Sequence, residues 1–303
     1  MVEAHERERK QRMEKQRIFI DDILSNENMN RAYKQVIKNK GAAGIDGMEC
    51  NDLFSHLKVN GHQLRESIRN QSYKPMPVKR VEIPKDNGSK RKLGIPTVTD
   101  RMIQQAAAQV LTPIYERKFH TNSYGFRPGK SAQQAVLKAA EYMNEGYNWV
   151  VDIDLEKFFD TVEHDKMISI LNKEIKDGKT LSLIRKFLAS GVMVGEQMEE
   201  TEIGTPQGNI SPLLANILLN ELDWELESRG LRFVRYADDC IILVRSEKAA
   251  TRVMKSVTKY IENVLRLKVN KDKSRIGRPT EIQYLGFAFY YQFQEKKYRM
   301  KVP

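Results

Sequence analysis

The spacing of apolar residues changes character along the chain. Residues 1 to about 40 keep a helical rhythm, highly charged at first and amphipathic later. Gly41-Ala42-Ala43-Gly44-Ile45-Asp46-Gly47 breaks it with three glycines in seven residues, and 48–72 reads as helix again with a turn at Asn60-Gly61. From Pro75 to Pro96 the texture becomes extended. Val78–Ile83 and Arg91–Ile95 flank Asp86-Asn87-Gly88-Ser89, a composition suited to a hairpin tip.

Two helices should follow. Asp100 is placed to cap the first, which is rich in Ala and Gln. Ser131, with Gln134 three residues on, forms a capping box for the second. The apolar stripe of that second helix is Ala132, Ala135, Val136, Ala139, Ala140 and Met143, and Gly146 ends it.

Trp149 to Leu155 alternates as a strand, with Trp149, Val151, Ile153 and Leu155 on one face. Helical material and a basic loop region come next. Ser211-Pro212 then opens a helix with core positions Leu214, Ile217, Leu218 and Leu222, and Gly230 closes it. Leu231–Arg235 and Cys240–Val244 read as strands around Tyr236-Ala237-Asp238-Asp239. Ser246 caps another helix, with Ala250, Val253, Met254, Val257, Tyr260, Ile261 and Val264 as its stripe, and Leu265–Val269 is expected as the last strand. The class is therefore α+β, with a ferredoxin-like β-α-β-β-α-β order from Trp149 onward. That order alone names no function.

Charge narrows the partners. The 303 residues hold 51 Lys and Arg against 40 Asp and Glu, a formal charge of +11. Lysines and arginines that neutralise phosphates release condensed counterions, so such a balance favours a polyanion. The charge is also clustered. Lys74, Lys79, Arg80, Lys85, Lys90, Arg91 and Lys92 face only Glu82 and Asp86 over their stretch, and 266–278 is similarly basic. Cys50 and Cys240 stand alone without Cys or His ligand spacing, so neither a disulfide framework nor a zinc site is indicated, and a reducing cytosol is the simplest compartment. The apolar runs are too short to span a membrane.

The residues with chemical promise are Asp154, Asp238 and Asp239. Asp154 ends an apolar strand, the other two sit at a hairpin tip, and the β-α-β-β-α-β order sets that strand beside that hairpin. Carboxylates brought together repel one another unless cations compensate. Mg²⁺ prefers such oxygen ligands, and two ions roughly 4 Å apart serve an in-line displacement. An Asp-Asp pair is also ordinary turn chemistry, and Asp152 shares a strand face with Asp154.

These segments together resemble the reverse transcriptases encoded by group II introns. Tyr236-Ala237-Asp238-Asp239 is similar to their Y-x-D-D box, and Asp154-Leu155-Glu156-Lys157-Phe158-Phe159-Asp160 to their first palm motif. Thr205-Pro206-Gln207-Gly208-Asn209-Ile210-Ser211-Pro212 matches the P-Q-G-x-x-x-S-P box, and Tyr284-Leu285-Gly286-Phe287 resembles the primer-grip hairpin. The intron branch is suggested by Ala43–Gly47, by Arg91–Thr97 with Asp100-Arg101, and by Ser123–Ser131.

The resemblance implies a right-hand polymerase with fingers and palm. Fingers with a helical N-terminal extension are expected over 1–105 and 162–210, and palm over 106–161 and 211–303. It implies an RNA-directed DNA polymerase using two Mg²⁺ ions, or Mn²⁺ in their place. Asp154, Asp238 and Asp239 would be the ligands, with a backbone carbonyl from Ile153 or Leu155. Lys85, Arg91, Phe159, Gln207, Gly208 and Lys273 would surround the nucleotide, Phe159 excluding a ribose 2′-hydroxyl, and Lys271 is a neighbour of Lys273 with a similar claim. Tyr284, Leu285 and Gly286 would grip the primer. Lys74, Lys79, Arg80, Arg127 and Lys130 would contact RNA or template.

The expected partners are a group II intron RNA, an RNA template with a DNA primer, and dNTPs, within a cytoplasmic bacterial ribonucleoprotein. A non-catalytic maturase that binds intron RNA is the alternative. Family members continue into a helical thumb that does not follow Pro303, so weak activity and self-association into a homodimer are expected of this chain.

Overall fold

Ile20–Ile23 (α1) and Asn26–Asn39 (α2) are separated by Ser25, whose hydroxyl caps α2 by accepting the Asn28 N–H. In the computed structural model the described residues are 20–84, 90–194, 197–199, 204 and 208–302. Leu53–Arg69 (α3) runs unbroken through Asn60-Gly61, where a turn was expected. Gly61 sits inside the helix because the flanking residues supply strong i to i+4 continuity, which outweighs about 1 kcal/mol of glycine cost.

Val78–Pro84 (β1) and Lys90–Ile95 (β2) form the expected antiparallel hairpin, with Lys79 opposite Ile95 and Pro84 opposite Lys90. Val98–Glu116 (α4) begins one turn earlier than expected. Thr97 is its cap, accepting the Asp100 N–H, while Asp100 lies within the first turn. There the buried Asp100 carboxylate accepts from Thr97 Oγ1, the Tyr73 hydroxyl and the Met76 N–H, which ties the preceding loop to the helix. Ala132–Asn144 (α5) carries the Ser131–Gln134 capping box, and its buried face is Ala135, Val136, Ala139, Ala140 and Met143.

Trp149–Ile153 (β3) leads into the short helix Phe158–Thr161 (α6), then His164–Leu171 (α7) and Gly178–Leu188 (α8). Val192–Val194 (β4) and Gln197–Glu199 (β5) are short strands. Ser211–Ser228 (α9), Arg232–Tyr236 (β6), Asp239–Val244 (β7) and Glu247–Asn263 (α10) follow in the expected order. The chain ends with Arg275–Gly277 (β8), Gln283–Tyr284 (β9), Phe287–Gln292 (β10) and Lys297–Lys301 (β11).

These elements form two compact units, one drawn from Met1–Ile114 and Met167–Ser211, the other from Tyr115–Lys166 and Pro212–Pro303. The first holds the sheet β2-β1-β4-β5, in which β1 pairs with β4 in parallel. Its buried residues include Ile23, Leu24, Leu53, Met102, Ile103 and Phe187.

The second unit holds the sheet β6-β7-β3-β8, all neighbours antiparallel, and a three-stranded sheet β11-β10-β9. α10 packs on β3, β7 and β8, while α5 packs on β6, β7 and β11. Val150, Val151 and Ile153 are buried on both faces of β3, so the strand is a central one and not simply one-sided. Each such side chain contributes about 1.5–3 kcal/mol.

The fourth strand of this sheet differs from expectation. Leu265–Val269 is not a strand, because Arg266 takes φ +59°, and only Val269 forms an isolated bridge, to Leu155. The edge strand is instead β8, with Arg275 opposite Asp152. Among the described residues no helix is long and apolar enough to cross a membrane.

Candidate active site

The register of β3 against β7 decides which carboxylates meet. Trp149 faces Val244 and Ile153 faces Cys240, so the same register carried one residue further sets Asp154 opposite Asp239. β6 and β7 turn over Ala237-Asp238, with Tyr236 paired to Asp239. A two-residue hairpin needs a left-handed residue, and Ala237 supplies it at φ +56°.

Asp154 is fixed through its backbone. Its carbonyl accepts the Asn270 N–H at 2.9 Å, and its N–H donates to Ser274 Oγ at 3.1 Å. The Asn270 side chain accepts from the N–H groups of Asp272 and Lys273, forming the turn that brings Lys273 and Ser274 to Asp154. Asn270 and Ser274 were not singled out from the sequence, although the Asx turn was a readable signal.

Asp152, Asp154 and Asp239 line one pocket of about 520 Å³ with Asp272, Lys273, Arg275 and the hairpin Tyr284-Leu285-Gly286. Arg275 Nε lies 3.4 Å from Asp152 Oδ2, and Lys273 Nζ lies 3.8 Å from Asp154 Oδ2. Asp239 stands at an exposed strand end, yet the protein crowds its carboxyl. Partial burial first, then the charges of Asp238, Asp154 and Asp152, push its pKa up to about 6, and Lys273 opposes the rise. Burial likewise raises Asp152, against the pull of Arg275. Asp238 is half-buried in the turn beside Asp239 and is not among the pocket's lining residues.

The donors are all hard carboxylate oxygens, which suits a divalent cation that prefers oxygen. Among the described residues no three His, Cys, Asp or Glu side chains are gathered tightly enough to hold an ion by themselves. Ile153 is buried within the ladder. Leu155 bridges Val269 through its neighbours' bonds, Asn270 N–H to Asp154 and Glu156 N–H to Lys268, so its own carbonyl takes no part in that bridge.

The Tyr284 hydroxyl donates to the Val234 carbonyl at 3.2 Å, and its ring is buried. Leu285 and Gly286 form the tip at φ +52° and +77°, the two left-handed residues of a tight hairpin. Tyr284 is thus the anchor, and the tip faces the pocket. Phe159 is half-buried with its ring 5.2 Å from that of the buried Phe158, tilted at 69°.

Of the other expected residues, several belong to the first unit and some lie outside the described residues. Lys85 and Gln207 lie outside the described residues, as does the side chain of Arg91, whose backbone pairs with Ile83 in the first unit. At Gly208, also in that unit, a Cβ would lie 2.0 Å from Gln104 Oε1, the end of a side chain that must shift to admit it. Lys74 and Lys79 are exposed there and Arg80 half-exposed.

Arg127, expected at RNA, is committed internally. Its guanidinium donates to Glu116 and to the carbonyls of His120 and Ser123, with 6% of the side chain exposed, so its charge is already neutralised. Lys130 donates to the Thr121 carbonyl and lies 4.6 Å over the Tyr124 ring.

Residues 83–289 match the family model described as reverse transcriptase (RNA-dependent DNA polymerase). Protein YkfC of Escherichia coli K12 is 32% identical over 308 aligned residues, covering 88% of this chain and 80% of YkfC. Group II intron-encoded protein LtrA of Lactococcus lactis subsp. cremoris is 32% identical over 324 residues, covering 84% of this chain and 54% of LtrA. A solved chain of the partial Cas6-RT-Cas1--Cas2 complex superposes with a TM-score of 0.51 at 26% identity, over 82% of this chain and 43% of that one. The chain thus spans about half the length of LtrA. With a family model covering most of its residues and intron-encoded relatives at this level of identity, the chain belongs to the reverse transcriptase family, in the group II intron-encoded branch.

Proposed function

We propose that this chain carries out RNA-templated DNA synthesis, adding deoxynucleotides to a primer at the Asp154–Asp239 pocket. The observation that carries this reading is the meeting of those two carboxylates beside the Tyr284-Leu285-Gly286 hairpin. In this reading the first unit is the fingers and the second the palm.

Asp154, Asp238 and Asp239 would hold two divalent cations such as Mg²⁺, with Mn²⁺ as a substitute. When bound, such ions neutralise charge on the attacking and leaving oxygens of an in-line displacement. Tyr284 anchors the hairpin whose tip seats the primer end. Lys273 exchanges its contact with Asp154 for a phosphate oxygen of the incoming nucleotide, acting as a point charge. In this reading Lys85, Arg91, Gln207 and Gly208 are the first unit's candidate nucleotide contacts, and Phe159 bars a 2′-hydroxyl. Incubation with an RNA template, an annealed DNA primer, dNTPs and Mg²⁺ tests the reading. Primer extension to template-directed lengths is expected, and no extension with an RNA template would count against it.

The second reading, an RNA-binding maturase without polymerisation, draws on the exposed Lys74 and Lys79 and on the net charge of +11. Intron RNA is the partner in either case, in keeping with relatives such as the group II intron-encoded protein LtrA.

A further inference from the structure

Asp223 and Arg235 form an ion pair with neither side chain exposed, away from the carboxylate pocket but tied to its hairpin. Arg235 Nε and Nη2 donate to the two Asp223 oxygens at 2.7 and 2.6 Å. Replacing such a buried pair with apolar groups of similar volume is often neutral or stabilising, because two charges no longer have to leave water. Stability is therefore a poor account of its presence.

The remaining donors show another role. Nη2 also reaches Ser123 Oγ at 2.8 Å, and Nη1 reaches Asn216 Oδ1 at 2.9 Å and the Ala237 carbonyl at 2.8 Å. All five guanidinium N–H groups are thereby used. Asn216 in turn donates to the Gly125 carbonyl, and the Tyr124 N–H donates to the Arg235 carbonyl. Gly125 lies so close that a Cβ there would stand 2.2 Å from Ala237 N. Ala237 is the left-handed residue directly before Asp238, and a non-glycine residue holds that conformation only where its surroundings over-determine it.

We infer that Arg235, oriented by Asp223, is a positioning residue: by gripping the Ala237 carbonyl it fixes the direction in which the turn presents Asp238 and Asp239. The inference rests on the polymerase reading of that pocket. The Ser123-Tyr124-Gly125 segment is the other half of the clamp on the hairpin. Lysine cannot replace this arginine, because it offers three donors from one point instead of five in a planar fork.

Two variants test this, Arg235→Lys and the double Arg235→Met/Asp223→Leu. The double leaves no unpaired buried charge and so retains the fold, which thermal unfolding checks. Hydrogen exchange of peptides covering 232–240 and primer extension kinetics are then measured on the full chain. Expected are faster exchange at the 236–239 turn in both variants and kcat lowered by about 10- to 100-fold at nearly unchanged KM for dNTP, as for a misplaced reacting group. A folded double variant with parental turn exchange and parental kcat overturns the inference. Should the parent extend no primer, the polymerase reading fails, while turn exchange still decides whether Arg235 holds the hairpin.

Discussion

Lys273 Nζ stands 3.8 Å from Asp154 Oδ2, held there by the turn that Asn270 caps. Both groups are partly open to solvent, with 66% of the lysine side chain exposed, so the pair contributes well under about 1 kcal/mol to stability. Under the polymerase reading its value lies in catalysis. Lys273→Ala is expected to lower kcat/KM for dNTPs about tenfold, the worth of one charge-assisted phosphate contact. The melting temperature should barely move. Lys271→Ala should change kinetics less than about twofold, and equal effects from the two lysines would remove Lys273 from the nucleotide pocket.

Asp239 sets a pH dependence with a definite sign. Its carboxyl is raised from 3.8 to about 6 by partial burial and then by Asp238 and Asp154. The folded chain therefore binds more protons than the unfolded chain across that window, and metal-free stability falls as pH rises from about 4 to about 6. Solvent at its exposed edge screens the effect, so the slope should be modest. In EDTA at pH 7, Asp239→Asn should melt higher than the parent, and the two should converge near pH 4. Added Mg²⁺ should raise the melting temperature of the parent alone. A variant that melts lower than the parent at pH 7 in EDTA would show that the carboxylate is not strained.

Gly125 offers a test of the hairpin's support. Gly125→Ala would drive a methyl to 2.2 Å from Ala237 N and 2.9 Å from the Tyr236 carbonyl carbon, both backbone atoms with no rotamer to change. Overpacking of this kind costs roughly 1–3 kcal/mol. Denaturant unfolding should show that loss together with depressed primer extension. Gly208→Ala is the informative comparison, since the atom it meets belongs to the Gln104 side chain, which is able to swing away.

Much of this arrangement is legible locally. Trp149–Ile153 and Cys240–Val244 are short apolar runs beside polar ends, and such runs pair as central strands, which brings Asp154 to Asp239. Other features depend on contacts that no local pattern carries. Leu265–Val269 alternates like a strand, yet Arg266 turns left-handed, and the short Arg275–Gly277 takes the sheet edge, with Arg275 beside Asp152. Arg127 looks like a free cation until Glu116 is folded against it. The Arg235–Asp223 pair left a fainter trace. Asp223 interrupts the apolar face of α9 beside Leu219, Leu222 and Leu226, and Arg235 follows the buried Phe233 and Val234, so each is a charge where the pattern calls for an apolar residue.

Phe159 follows Asp154 by five residues and packs edge-on against Phe158. If its ring bars the 2′-hydroxyl, Phe159→Ala should reduce discrimination between dNTPs and rNTPs by at least about tenfold while sparing dNTP incorporation. Competition between the two sugars in primer extension measures this. Unchanged selectivity would leave Phe159 as a packing residue only.

The most direct test of the central claim compares the parent with Asp238→Ala/Asp239→Ala on a DNA primer annealed to an RNA template, with dNTPs and Mg²⁺, and measures RNA affinity of both in the same buffer. Extension by the parent alone, at equal RNA affinity, is the predicted result. Equal extension by both proteins, or loss of RNA binding in the variant, would contradict it and make the carboxylate pair a structural feature of the hairpin.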